Sequence, residues 1–157
     1  MNMAELKSNQ FNLVIISPER KFYNAPVERV TFRTTEGDLG VLKGHIPLTV
    51  GLSSGHCKIQ IDANTTHIGV IHGGFAEIQP DQVTILVDAA EWPDEIDVER
   101  AKRRMRKAEE IISSPTSGDL AIKRARYSML KQMARIEVSS MKEGSSYRGE
   151  FLADEES

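Results

Sequence analysis

The sequence predicts a β-sandwich or flattened barrel followed by an antiparallel pair of helices. Three observations carry that reading. Up to residue 90, apolar residues recur at every second position between turns rich in Gly, Pro and Asp, as in sheets with one buried face. From Asp97 onward they recur at helical spacing, in two stretches. The segment 91–101 also separates regions of opposite charge. Residues 1–96 hold seven Lys/Arg against twelve Asp/Glu, residues 97–142 hold twelve against six, and residues 143–157 one against five. A basic helical arm between acidic flanks will seek an acidic surface, unless it is simply a solvated face.

The elements follow in order. Residues 11–16 are an apolar run closed by Ser17-Pro18, a buried strand and its turn. Val30 and Phe32 alternate with Arg29, Thr31 and Arg33 in a half-buried strand. Residues 36–40, Glu-Gly-Asp-Leu-Gly, punctuate the next stretch, and Gly44-His45-Ile46-Pro47 follows. Cys57, Ile59 and Ile61 alternate with Lys58 and Gln60. Residues 66–71 and 75–78 flank the turn His72-Gly73-Gly74. Gln79-Pro80-Asp81 turns into a strand whose Val83, Ile85 and Val87 face one way, with Thr84 and Leu86 facing the other. Asp97 can cap a helix by accepting bonds from the free N–H groups of its first turn. Val98, Ala101, Met105, Ala108 and Ile112 form the stripe of that helix. Residues 113–118, Ser-Ser-Pro-Thr-Ser-Gly, break it. Asp119 can cap a second helix, with Ile122, Ala125, Met129, Met133 and Ile136 as its stripe. Both stripes are thin and rich in Ala and Met, so the hairpin can part from the β body without unfolding it. Residues 143–157 are Gly/Ser-rich and then acidic, the composition of a disordered tail.

Composition excludes several classes. At 157 residues there is room for one domain and an appendage. The single cysteine, Cys57, excludes an internal disulfide and suits a reducing compartment. No apolar run approaches the roughly 18 residues that cross a bilayer, so no direct membrane insertion is expected. His45, His56, His67 and His72 show no metal-ligand spacing with Cys57 or one another, so no metal is expected. A phosphate-binding P-loop is lacking. Gly51-Leu52-Ser53-Ser54-Gly55 fits a nucleophile elbow, and His72-Gly73-Gly74 resembles part of an oxyanion loop. An elbow must join a strand to a helix, whereas residues 56–61 alternate as a strand, so two glycine turns are the better reading. The basic arm could bind nucleic acid, but Tyr127 is its only aromatic residue for stacking. A free-standing β-sandwich module with a basic arm for nucleic acid is thus the second reading.

Taken together and in order, the motifs resemble the epsilon subunit of F-type ATP synthases. They are the strand-turn of residues 11–19, Glu36-Gly37-Asp38-Leu39-Gly40-Val41-Leu42, Gly44-His45-Ile46-Pro47-Leu48, Gly73-Gly74-Phe75-Ala76-Glu77-Ile78, Val83-Thr84-Ile85-Leu86 and Ile96-Asp97-Val98-Glu99-Arg100-Ala101. The resemblance implies a sandwich of about ten strands over residues 1–90, a regulatory helical hairpin over residues 91–142, and a tail over residues 143–157. It implies a subunit with no catalytic residues and no required cofactor, peripheral to the cytoplasmic face of the cell membrane. The sandwich would grip the gamma subunit and the c-ring, with Asp38 and His45 facing the c-ring. The extended hairpin would enter the alpha/beta catalytic head and block ATP hydrolysis. Arg103, Arg104, Arg106, Lys123, Arg124 and Arg126 would supply its attraction to an acidic loop there. ATP is implied as a regulatory ligand of the folded hairpin, with Glu91, Ile96, Asp97, Arg100, Ala101, Lys131 and Arg135 at its contact positions. The sequence departs from the nucleotide-binding pattern at Lys131, where Arg is usual. Lys keeps the charge and loses the planar fork.

Overall fold

The computed structural model describes residues 6–141. The tail expected at residues 143–157 lies outside the described residues. Nine strands come first: β1 (Phe11–Ile16), β2 (Lys21–Val27), β3 (Arg29–Thr34), β4 (Gly37–Leu42), β5 (Leu48–Asp62), β6 (Thr65–His72), β7 (Phe75–Ile78), β8 (Gln82–Leu86) and β9 (Ala89–Glu91). A short 3-10 turn (Pro93–Glu95) leads to α1 (Val98–Ser113) and α2 (Asp119–Ser140).

Two sheets share β5. Its first residues, Leu48 to Gly51, pair with β7 in a sheet ordered β2-β1-β8-β7-β5. From Leu52 it pairs with β3, and from Gly55 also with β6, in a second sheet ordered β4-β3-β5-β6-β9. A strand that changes sheets is a common way of making the corner of a sandwich. Nine strands stand among the described residues where about ten were expected. All pairings are antiparallel except β1 with β8. Leu13, Ile15, Val30, Phe32, Ile59, Ile71, Ile78, Val83 and Ile85 are fully buried between the sheets. The period-2 pattern places Val83 and Ile85 inward and leaves Leu86 partly exposed.

Four expectations need correction. β2 is absent from the expected strands, because Pro26 interrupts it and its apolar Phe22, Tyr23, Ala25 and Val27 do not hold to one alternating face. Proline is tolerated there because β2 is an edge strand, paired only with β1. The stretch Gly37-Asp38-Leu39-Gly40, expected as punctuation, is strand β4 paired with β3. Asp119 does not cap α2. Gly118 occupies the cap without a side-chain bond, and Asp119 is the first helical residue, where its charge suits the positive end of the helix. Met133 lies outside the buried stripe at 49% exposure, while Gln132, Ala134 and Val138 are buried instead. The reason is that α2 has two partners. It packs along α1, and its C-terminal half also lies on β5 and β6, so one helical stripe does not describe it.

Candidate functional site

The junction between sandwich and hairpin is built from the end of β9. Trp92 is buried and stacks on Phe22, with ring centroids 4.0 Å apart. Glu95 Oε1 accepts from the Trp92 backbone N–H at 3.0 Å and from Arg20 Nη2 at 2.7 Å. Arg20 also donates to the Ala90 carbonyl at 3.1 Å. These bonds fix the direction in which the chain leaves the sheet. Asp97 then caps α1, its Oδ1 accepting from the Arg100 N–H at 3.0 Å.

The last turns of α2 return to this junction. Ala134 and Val138 pack on Ile68, Val70 and Ile96 in a small apolar cluster separate from the main core. Beside it, Arg135 Nε donates to Glu91 Oε1 at 2.7 Å, and Arg135 Nη1 donates to Gln132 Oε1 at 3.1 Å. The same Glu91 oxygen lies 3.2 Å from His72 Nε2, and His72 Nδ1 lies 3.2 Å from Ser54 Oγ. A neutral imidazole with its proton on Nε2 satisfies both neighbours, donating to Glu91 and accepting from Ser54. Burial, above all, holds the His72 pKa below its ordinary value, against the pull of the Glu91 hydrogen bond. Burial works against ionisation of Glu91 too, but the bonds from His72 and Arg135 outweigh it and lower the Glu91 pKa to about 2. The Glu91–Arg135 pair therefore holds through the neutral range. It is lost only as pH falls below the ordinary value of 4.5 toward about 2.

Five of the residues expected at a nucleotide site, Glu91, Asp97, Arg100, Ala101 and Arg135, line one cleft of about 170 Å³ together with Glu95, Arg104 and Gln132. Two do not. Ile96 is buried in the docking cluster, and Lys131 holds its ammonium 5.5 Å from the centre of the Tyr127 ring. The cleft is smaller than the ~300–1,000 Å³ of typical small-molecule sites, so it suits part of a ligand and not a whole nucleotide. Arg103, Arg104, Arg106, Lys123, Arg124 and Arg126 are all exposed, and none of them pairs with a carboxylate among the described residues. Asp38 on β4 accepts from Arg33 Nε at 3.1 Å. His45, in the loop after β4, is half-buried, its Nδ1 2.7 Å from the Ile46 carbonyl, and Ile46 itself is 74% exposed.

The line Ser54–His72–Glu91 has the order of a hydrolase triad, yet His72 has no exposure, so no substrate reaches it. Ser53, the centre of the glycine motif, sits within continuous β5, which removes the elbow and also corrects the glycine turn expected at residues 51–55: both glycines pair as strand where β5 changes sheets. Sequence reasoning missed His72, Glu95 and Gln132. His72 and Glu91 are 19 residues apart and Glu91 and Arg135 are 44 apart, so no local spacing could reveal them. Among the described residues no cluster suits a metal, and no helix is long and apolar enough to cross a membrane.

Residues 10–93 match the family model described as ATP synthase, Delta/Epsilon chain, beta-sandwich domain, and residues 94–140 match its long alpha-helix domain. The chain belongs to the ATP synthase delta/epsilon family. Its relatives include the ATP synthase epsilon chain of Halalkalibacterium halodurans, 38% identical over 125 residues, covering 80% of this chain and 93% of the relative. The epsilon chain of Caldanaerobacter subterraneus subsp. tengcongensis is 42% identical over 122 residues, covering 73% and 88%. In fold, the protein is similar to a chain in the Euglena gracilis mitochondrial ATP synthase (OSCP/F1/c-ring), with a TM-score of 0.75 at 23% identity, covering 89% and 86%. A chain of the Tetrahymena thermophila mitochondrial ATP synthase central stalk and c-ring gives 0.55 at 14% identity, covering 82% and 96%. The family's order of sandwich then helices is the order seen here.

Proposed function

We propose that this epsilon-type chain is a non-catalytic rotor subunit of the central stalk that couples proton-driven rotation to ATP synthesis and restrains ATP hydrolysis through its hairpin. The sandwich grips gamma and the c-ring, with Asp38 and His45 on the c-ring side, and the complex holds the chain at the cytoplasmic face of the membrane. Released from the sandwich, the hairpin reaches the alpha/beta head. The observation that carries this reading is that the hairpin is held outside the main core, by Ala134 and Val138 on Ile68, Val70 and Ile96, by the Glu91–Arg135 pair, and by Glu137 beside Arg33 and His56. Fully burying a valine is worth about 1.5–3 kcal/mol, so a modest bias decides between docked and released arms. Meanwhile the six basic residues, exposed and without an ion pair among the described residues, present positive charge to an acidic partner. The reading of a free-standing nucleic-acid module gives way to the family match over residues 10–140.

Changing Arg103, Arg104, Arg106, Lys123, Arg124 and Arg126 together to Ala will raise ATP hydrolysis by the assembled, inhibited enzyme. Exposed pairs contribute only about 0–1 kcal/mol each, so the six together, and no single one, are expected to change the rate about tenfold or more. An unchanged rate removes the electrostatic part of the proposal.

The cleft supports a regulatory role for ATP. A ligand that touches α1 and α2 only when both lie on the sandwich stabilises the docked state by its differential affinity. Arg100, Arg104 and Arg135 supply positive charge there, but Arg135 must first turn from Glu91. Calorimetry of the full chain with magnesium-free ATP will show binding heat that Arg135→Ala abolishes. Absence of heat at about millimolar ATP, a binding free energy weaker than about −4 kcal/mol, rules this role out.

A further inference from the structure

His56 on β5 is buried at the place where α2 crosses the second sheet, and it belongs to no part of the cleft described above. Its two ring nitrogens face two carboxylates. Nε2 lies 3.6 Å from Asp38 Oδ2 on β4, and Nδ1 lies 3.4 Å from Glu137 Oε1 on α2. Neither approach closes to a hydrogen bond. Arg33 on β3 completes the cluster, with Nε 3.1 Å from Asp38 and Nη1 3.8 Å from Glu137. Gly55 makes room for it: a Cβ there would stand 2.8 Å from the Arg33 Cβ.

We propose that His56 is a proton-dependent latch for the hairpin, bridging Asp38 of the sandwich and Glu137 of α2 when its ring carries two protons. A neutral imidazole has one N–H, so one of its nitrogens must face a carboxylate oxygen lone pair to lone pair. The imidazolium donates to both. Charge points the same way. Two carboxylates face one permanent guanidinium, and a proton on His56 balances the cluster. The ring side chain is only 8% exposed, which limits screening, while the acids at 44% and 39% keep room to turn toward it.

Glu137 is the one member carried by the arm. Release of the hairpin takes a carboxylate away from His56, so the doubly protonated ring has both partners only in the docked state. Docking therefore strengthens when His56 takes up its second proton and weakens when it gives that proton up. His72 works in the opposite sense. Burial, against the opposing hydrogen bond of Glu91 and with smaller contributions from Arg135 and Lys131, disfavours its charged form, so its protonation at low pH weakens the folded chain. The two histidines are separated by substitution. The latch concerns docking alone, and only its consequence for hydrolysis rests on the function proposed above.

The test uses the full chain with spin labels on exposed Lys43→Cys and Lys107→Cys. Cys57 is buried, and burial pushes its pKa up to about 12, so it resists labelling. The urea midpoint at which the label distance changes is measured at about pH 6 and about pH 8. The latch predicts a higher midpoint at the lower pH, relative to both His56→Gln and Glu137→Gln, equivalent to about threefold or more in the docking equilibrium. Glu137→Gln lies on an accessible helix face and carries the test alone if His56→Gln does not fold. Equal pH dependence in the parent and in Glu137→Gln overturns the proposal.

Discussion

Replacing Val138 with Asp will release the hairpin and leave the sandwich folded. Val138 has no exposure and touches Ile68, Val70, Ile96 and Ala134, none of which carries a polar group to meet a carboxylate. Leaving an unpaired charge in such a place costs several kcal/mol, more than the cluster can contribute. Undocking is the least costly escape, because Val138 is not part of the main core formed by Leu13, Phe32, Ile59 and Ile85. Hydrogen exchange will show α2 losing protection at residues 134–141 while β1 and β8 keep theirs. In the assembled enzyme, ATP hydrolysis will fall, because the free arm is the inhibitory one. A docked arm in Val138→Asp, or loss of the strands together with the arm, contradicts this account.

Gly74→Ala will have the larger effect on folding. Gly74 sits at φ +91°, in the left-handed region, in the turn that carries the chain from β6 in one sheet to β7 in the other. Its carbonyl accepts from the Leu52 N–H at 2.9 Å, which ties that turn to the sheet change in β5. A Cβ here would run into the Leu86 carbonyl oxygen and stand 2.8 Å from the Val87 Cα. Those atoms are backbone of the next strand region and cannot swing aside. The backbone conformation alone costs about 1–2 kcal/mol, and the clash adds to it. Against a typical stability of about 5–15 kcal/mol the combined cost is a large fraction of what keeps the chain folded, and the melting temperature falls well below that of the parent. Gly44→Ala is the control: φ is +83° but nothing lies within 4 Å, so only the conformational cost of about 1–2 kcal/mol applies. Thermal unfolding separates them. Comparable melting temperatures for the two variants would show that the close approach at Gly74 is relieved by movement of the chain.

Much of the architecture is written in local periodicity. Val83, Ile85 and Val87 alternate as a one-sided strand must, and Asp97 caps α1 because a carboxylate before a helical stripe has few better uses. What failed was non-local. β2 depends on an edge position that permits Pro26, and β5 crosses from one sheet to the other at Gly51 to Gly55, glycines that read locally as a turn but lie in continuous strand. The cleft was legible in part. Asp97, Arg100 and Ala101 share a helix start, so one motif shows all three. Glu91 and Arg135 were reached only through the family resemblance, since they meet across 44 residues. Lys131 sits four residues before Arg135, yet its ammonium turns to Tyr127, a rotamer choice that helical spacing does not dictate. The His56 cluster draws on β3, β4, β5 and α2, and its members are ordinary surface residue types in sequence.

The hairpin can leave the sandwich only if the two are separate cooperative units. Native-state hydrogen exchange on the full chain measures that directly. The expected result is two levels of protection: amides of α1 and α2 opening together at a lower free energy, and those of β1, β5 and β8 only on global unfolding. A single free energy shared by helices and strands would mean that the arm cannot leave without destroying the body that carries it.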